Sequence, residues 1–471
     1  MERRQVDDSE GFAFSRRDVI TGGSAAAVGV FFPSSSWAQA PRVRMDITTF
    51  AQDATRLAKF EAAVKEMQDR ASVDPNDPKG WLRNARAHAR FCPNPEDDPD
   101  QVHYCYWFLA WHRAYIWVTE RKIREISGDQ TFSYPYWNWS SDRHIPQAYA
   151  RAGSPLAHAV RFTPPRGLRD GEVGYRRDDP RLAALGVAAL DVRFFQAGSP
   201  NQISRSFGGI ARPNPAGVYT TNALETTPHG PVHVYVGGEN AQGDGGDMSD
   251  FETAARDPIF FAHHGNLDRL WETWRRDPAR KATEPTSNAF LDHQFPFIWL
   301  DGNVIHVRAG DVLDTTKLEY VYDYLDVFRP GAPVAVAAAQ AASNPLPSVG
   351  SSKLKIPFRA QGATDENERK ILEIHDIEAP EKLMTVGVYL RTPLTPPEER
   401  GINVGSFSAI RSGGKVTWPS QTISFDITEA AHKFAGQEIT VDLIPHRIRA
   451  EGAAESYPGL KYGGMRIITE K

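Results

Sequence analysis

Six histidines fall in two clusters along the chain. His88, His103 and His112 form the first, and His229, His233 and one of the adjacent pair His263–His264 form the second. Imidazole is neutral near pH 7 and is the commonest protein metal ligand. Two clusters of three imidazoles, with no carboxylate among them, suit a pair of metal ions that together handle dioxygen.

The second cluster has the clearer local geometry. In Thr227-Pro228-His229-Gly230-Pro231-Val232-His233, Thr227 is expected to cap a helix whose first turn holds Pro228. His229 and His233 are then four residues apart on one face. The same spacing occurs in zinc proteases, but Gly230 stands where their catalytic glutamate would be. Further on, a helix through Asp257–Arg269 puts Phe260, His264 and Asp268 on one face. His264 is then the expected ligand, Phe260 packs against the imidazoles, and Asp268 is the expected acceptor that fixes an imidazole's orientation. His263 points about 100° away and reads as a hydrogen-bonded neighbour.

In the first cluster, His103 and His112 are nine residues apart and cannot share a face of one helix. His103 is therefore expected in the loop before the helix that carries His112. Taken singly, each of these histidines reads equally well as a core or surface residue; it is the set that points to metal. Di-iron bundles use glutamates and E-x-x-H pairs, which are missing here. Catalytic zinc usually takes three ligands at one site, often including a carboxylate, with a general base nearby. All-imidazole coordination suits two copper ions, although zinc would bind the same donors.

The surrounding chain has to position these groups. Leu57, Phe60, Val64 and Met67 recur at helical spacing, and Leu109, Ile116, Val118 and Ile123 do so less regularly. Residues 140–225 are rich in Pro, Gly and Arg and read as long ordered loops with short helices. Ligands on facing helices imply a mainly α catalytic domain, 41–329, with a four-helix bundle core. An Ala/Pro/Ser linker is expected at 330–352. Beyond it the period changes to alternation: Leu354, Ile356 and Phe358; Met384, Val386, Val388 and Leu390; Ile423, Phe425 and Ile427; Ile439, Val441 and Leu443. These short runs predict a C-terminal antiparallel β-sandwich over 353–471.

The 471 residues, 41% hydrophobic and 24% charged, are enough for a large domain and a smaller one. A formal net charge of −5 leaves no basic footprint for nucleic acid. Nothing approaches the roughly 20 apolar residues of a membrane span. At the N-terminus, Ser15-Arg16-Arg17 precedes a soft apolar run, Val19 to Phe32, and then Ala38-Gln39-Ala40. This reads as a twin-arginine signal over 1–40, implying a passage through the Tat translocase to the periplasm or the outside. The two cysteines, Cys92 and Cys105, allow at most one disulfide.

Several stretches resemble the type-3 copper phenol oxidases, the tyrosinases and catechol oxidases, and above all the plant-type polyphenol oxidases. They are Gln101-Val102-His103, Trp111-His112-Arg113-Ala114-Tyr115, Pro135-Tyr136-Trp137-Asn138-Trp139 and Ala255-Arg256-Asp257-Pro258-Ile259-Phe260-Phe261-Ala262-His263-His264. The resemblance implies that His88, His103 and His112 bind one copper (CuA) and His229, His233 and His264 the other (CuB), with O2 as co-substrate. It implies that Glu225 holds a water that takes the phenolic proton, that Phe251 gates CuA, and that Gly230 and Val234 line the substrate pocket. It also implies a thioether between Cys92 and His103, against which stand a buried free thiol and a Cys92–Cys105 disulfide. Tyr320-Val321-Tyr322 resembles the motif that ends the catalytic domain. Val404-Gly405-Ser406-Phe407 resembles part of the domain that shields the site in latent forms until a protease cuts the linker. The disulfides that fasten the N-terminal segment of the plant relatives have no counterpart here.

The expected activity is oxidation of o-diphenols, and of monophenols through hydroxylation, to o-quinones. Gly230 has no side chain to assist a monophenol's deprotonation, so catechol oxidation is expected to be the stronger activity. Two other readings fit the same ligands: a haemocyanin-like oxygen carrier and an oxidase of o-aminophenols.

Overall fold

The computed structural model describes residues 40–92, 101–164, 166–169, 171–174, 187–211, 220–326, 348, 350–355, 368–396, 401–412, 415–418, 422–434, 437–446 and 460–470. The segment up to residue 39, expected to be a signal, and most of the expected linker lie outside these residues.

Five helices build the N-terminal half. They are α1 (Ala54–Val73), α2 (Trp81–Phe91), α3 (Phe108–Ser127), α4 (Gly230–Gly237) and α5 (Ile259–Trp274). Asp53 caps α1 by accepting from the Arg56 amide at 3.0 Å, and Phe60, Ala63, Val64 and Met67 form its buried stripe. The weak periodicity of α3 has a simple cause: the helix runs through the middle of the core and is buried on nearly every side. Gly128, at φ 67°, ends it in the left-handed conformation that glycine adopts without strain. Aromatic rings of all five helices and of the loops between them fill one continuous core.

The start and end of this half are fastened together. Strand β1 (Arg42–Arg44) pairs in parallel with β4 (Tyr320–Tyr322), and a hairpin of β2 (Gln294–Ile298) and β3 (Val304–Arg308) packs on α3. Arg44 is fully buried and binds Glu120 at 3.0 Å and Asp268 at 3.1 Å. A strand ladder and a buried arginine thus hold the N-terminal segment where the plant relatives are expected to use disulfides.

The C-terminal half is an antiparallel sandwich. Strands β5 (Gly350–Lys355), β7 (Met384–Arg391), β8 (Ile402–Ser412), β9 (Lys415–Thr417) and β11 (Glu438–His446) form one sheet in the order β5-β11-β7-β8-β9. Strands β6 (Arg369–His375), β10 (Ile423–Asp426) and β12 (Gly464–Glu470) form the other in the order β10-β6-β12. Met384, Val386, Val388, Leu390, Ile423, Phe425, Ile427, Ile439, Val441 and Leu443 all join its core. Ile356 and Phe358 lie outside the described residues. One boundary is corrected: 350–352, expected in the linker, begin strand β5, because Gly350, Ser351 and Ser352 pair with Leu443, Asp442 and Val441.

Strand β8 belongs to both halves. Phe407 and Ala409 point into the sandwich, while Ser406, Ser408 and Ile410 are buried on the opposite face, with Ile410 in the helical core. No helix among the described residues is long and apolar enough to cross a membrane.

Candidate metal centre

Helix α2 carries His88, α3 carries His112, and His229 and His233 stand at the head and middle of α4. His264 sits on α5, and His103 lies in the loop before α3. The structure brings all six together. In the first triad the ring centroids are 5.6 Å (His88–His103), 5.7 Å (His88–His112) and 5.1 Å (His103–His112) apart. In the second they are 4.6 Å (His229–His233), 5.2 Å (His229–His264) and 5.4 Å (His233–His264) apart. The triads touch through His112 and His264, whose rings stack at 4.2 Å, so this is one site with two halves.

The outer ring nitrogens are anchored. His88 Nδ1 donates to the Phe251 carbonyl at 2.7 Å, His112 Nδ1 to the Phe108 carbonyl at 2.8 Å, and His233 Nδ1 to the Met248 carbonyl at 2.8 Å. His103 Nδ1 lies 3.1 Å from Glu225 Oε1. A donating Nδ1–H fixes the tautomer and leaves the Nε2 lone pair for a metal. The Nε2 atoms of His88, His103, His112 and His229 are buried with no hydrogen-bond partner. A buried nitrogen left without a partner is costly, and four in one cavity fit a bound cation. His233 Nε2 and His264 Nε2 are 3.2 Å apart, close to the ~3.3 Å expected of two donors held about 2.0 Å from one ion.

Burial holds His88, His112, His229 and His264 well below the usual imidazole value, and the neighbouring imidazoles add to the effect. Burial likewise pulls His233 down to about 4. These five imidazoles are neutral near pH 7 and offer lone pairs rather than protons.

His263 also lies near the second triad, 4.9 Å from His233. Hydrogen bonding separates it from His264. Trp139 Nε1 donates to His263 Nδ1 at 3.3 Å, which favours the tautomer with the proton on Nε2, although that Nε2 is also buried without a partner beside the second triad. His264 has no such partner. Its Nδ1 is unbonded, and the ring stacks on His112 and meets Phe260 at a tilt of 36°, each at 4.2 Å.

Two expected local roles are corrected. Asp268 orients no imidazole: it accepts from Arg44, Arg113, Tyr320 and Tyr322. One turn beyond His264, helix α5 faces two buried guanidinium groups, and these take the carboxylate. Thr227 is not a helix cap. Its backbone is extended (φ −151°, ψ 119°) and its hydroxyl donates to the Ser406 carbonyl on β8.

The remaining residues surround the triads. Glu225 is buried; Oε1 accepts from the Tyr104 amide at 3.2 Å and Oε2 from Asn222 Nδ2 at 2.6 Å. Phe251 lies 4.9 Å from the His103 ring and Phe260 lies 4.7 Å from His88. A side chain at Gly230 would reach toward Ser408, and Val234 packs with Leu383 and Val416. The backbone of Phe251 links cover and ligand: its amide donates to the Arg411 carbonyl at 3.0 Å, while its own carbonyl receives His88. Cys92 and Cys105 are both free thiols, so the disulfide reading fails. The Cys92 sulfur and the ligand nitrogens of His88, His103 and His112 all lie within 4.8 Å of one another. The carbonyl anchors, Asn222 and Trp139 escaped the sequence reading, because every residue has a carbonyl and its aim depends on the fold.

Residues 78–277 match the family model described as the common central domain of tyrosinase, and residues 284–330 match the polyphenol oxidase middle domain. The chain is 32% identical over 301 residues to the chloroplastic polyphenol oxidase of Malus domestica, covering 61% of this chain and 49% of that protein. It is 29% identical over 294 residues to the chloroplastic catechol oxidase B of Solanum tuberosum, covering 60% and 49%. The chain thus spans about half the length of the curated relatives it matches. Its fold is shared with latent apple tyrosinase (TM-score 0.65, 24% identity, 94% of this chain and 100% of that one). Latent aurone synthase from its natural source is similar too (TM-score 0.68, 20% identity, 94% and 91%). Both matched segments lie in the half that builds the two histidine triads, so residues 78–277 carry a tyrosinase central domain and residues 284–330 a polyphenol oxidase middle domain.

Proposed function

We propose that the protein is a type-3 copper phenol oxidase that uses O2 to convert o-diphenols, and more weakly monophenols, to o-quinones. The observation that carries this reading is the meeting of two all-imidazole triads in one buried site, with partnerless Nε2 atoms aimed inward. His88, His103 and His112 would hold one copper, and His229, His233 and His264 the other. Bound copper supplies the redox chemistry with dioxygen, which amino-acid side chains lack.

The chain's own residues do the rest. Backbone carbonyls fix the ligand tautomers. Phe251 and Phe260 wall the site with aromatic surface that receives a planar phenol and keeps water out. Glu225 meets the His103 imidazole at 3.1 Å, and it accepts the phenolic proton through a water. Cys92 is placed to join His103 through a thioether, which would fix that imidazole covalently. The sandwich acts as a cover: Ser408 lies over Gly230, and Leu383 and Val416 lie over Val234. A protease acting within 330–347 releases it. Residues 1–40 are a twin-arginine signal that sends the protein through the Tat translocase to the periplasm or beyond.

Oxygen uptake by copper-loaded protein given a simple catechol tests this reading, before and after a cut within 330–347. Uptake with quinone formation, severalfold faster after the cut, is expected. Reversible oxygen binding without turnover of any catechol would assign an oxygen carrier instead.

A further inference from the structure

A second polar cleft lies away from the metal centre, where β1, β4 and α3 meet. It has a volume of about 190 Å³ and is lined by Arg42, Arg121, Arg124 and Lys317, with Trp117 and the carboxylates Glu125 and Glu319 beside them. Trp117, Arg121 and Arg124 are spaced i, i+4 and i+7 on α3, so one helical face presents them together.

The charges there are not balanced. Arg42 is paired with Glu319 at 2.9 Å and Arg124 with Glu120 at 2.6 Å. Arg121 forms no hydrogen bond or close ion pair among the described residues. Its guanidinium is held between two indoles instead, 4.8 Å from the Trp117 ring and 5.0 Å from the Trp299 ring. Rings fix the plane of the group and leave its N–H edge without an acceptor. Burial first, and then the charge of Arg124, lower its pKa from the usual arginine value, with Glu125 and Glu319 opposing the change. A guanidinium in this state presents a fork of donors that suits phosphate or carboxylate oxygens.

We propose that this cleft is an anion-binding site for a small multivalent oxyanion of phosphate size, with Arg121 as its principal donor and Arg42, Arg124 and Lys317 around it. The volume admits a free anion and excludes a nucleotide. Arg42 belongs to β1 and Lys317 to the turn before β4, so a bound anion bridges the two ends of the catalytic half. It therefore stabilises the clasp as well as filling the cleft.

Calorimetric titration of inorganic phosphate into the full-length, copper-loaded protein at constant ionic strength tests the proposal. One saturable site is expected, together with a rise in melting temperature that sodium chloride of equal ionic strength does not give. Arg121→Gln is expected to weaken binding at least about tenfold. Lys317→Ala, at an exposed position that cannot affect folding greatly, is expected to weaken it roughly two- to fivefold. Binding unchanged in both variants would place phosphate elsewhere, the copper pair included, and overturn the proposal. So would heats no larger than those of chloride.

Discussion

At the scale of single residues, a pair of adjacent histidines on α5 carries the sharpest test. His264 faces His233 with its Nε2, while His263 receives Trp139 on its Nδ1. His264→Ala should lower the copper content from two ions to about one and abolish catechol oxidation. His263→Ala should keep both ions; loss of copper in that variant instead would exchange the two roles. Asp268 offers a second test. Four donors converge on it and none is an imidazole. Asp268→Asn should keep both coppers yet cost about 3 kcal/mol of stability, since it leaves Arg44 and Arg113 underpaired in the core. Full stability with halved copper would restore Asp268 to the role first expected of it. The six histidines that meet in the site were legible in sequence because metal binding demands particular residue types at particular spacings. Asp268 was misread because the i, i+4 rule states which side of the helix a residue shares, not what stands opposite.

At the scale of elements, alternation revealed the sandwich strands because each buries one face in a core of its own. Strand β8 was harder to read, since it is buried on both faces: Phe407 and Ala409 inward, Ser406 and Ser408 toward the histidines. Serines at such positions read as solvent-facing until a second body covers them. Helix α3 hid its extent for the same reason, since a rod surrounded on all sides has no polar face to set a period. The end of β11 supplies a prediction. His446 is fully buried beside Glu172, and burial lowers it to about 4. A folded value below the unfolded one, about 6.5, means that the unfolded chain binds the proton first. The contribution is whole above about pH 6.5 and shrinks as the pH falls toward 4. Between pH 7 and pH 5 this one group should cost the wild type about 2 kcal/mol, which His446→Gln should not lose. Denaturant unfolding at the two pH values measures the difference, and equal losses in both proteins would remove His446 from the account.

At the scale of the whole molecule, the surface between the halves is largely polar. Thr227 donates to the Ser406 carbonyl, Phe251 donates its amide to the Arg411 carbonyl, and Glu172 meets His446. Among the described residues, Val234 with Leu383 and Val416 forms a small apolar cluster there, and Ile410 of β8 reaches into the helical core. Each half has a hydrophobic core of its own. The division into two bodies was visible in the change of period along the chain. The contact between them was not, because it is made by hydroxyls and carbonyls that carry no periodic signal.

The backbone of Phe251 passes through both bodies' business. Its amide is held by the Arg411 carbonyl of β8 and its carbonyl orients His88. Cover and metal are therefore thermodynamically linked, and linkage is reciprocal. Whatever the docked sandwich adds to copper affinity, bound copper returns to the docking of the sandwich. The protein cut within 330–347 should surrender copper to a chelator faster than the intact chain, and metal-free protein should shed its severed sandwich more readily than the loaded form. The part that hides the site is also part of what keeps it loaded.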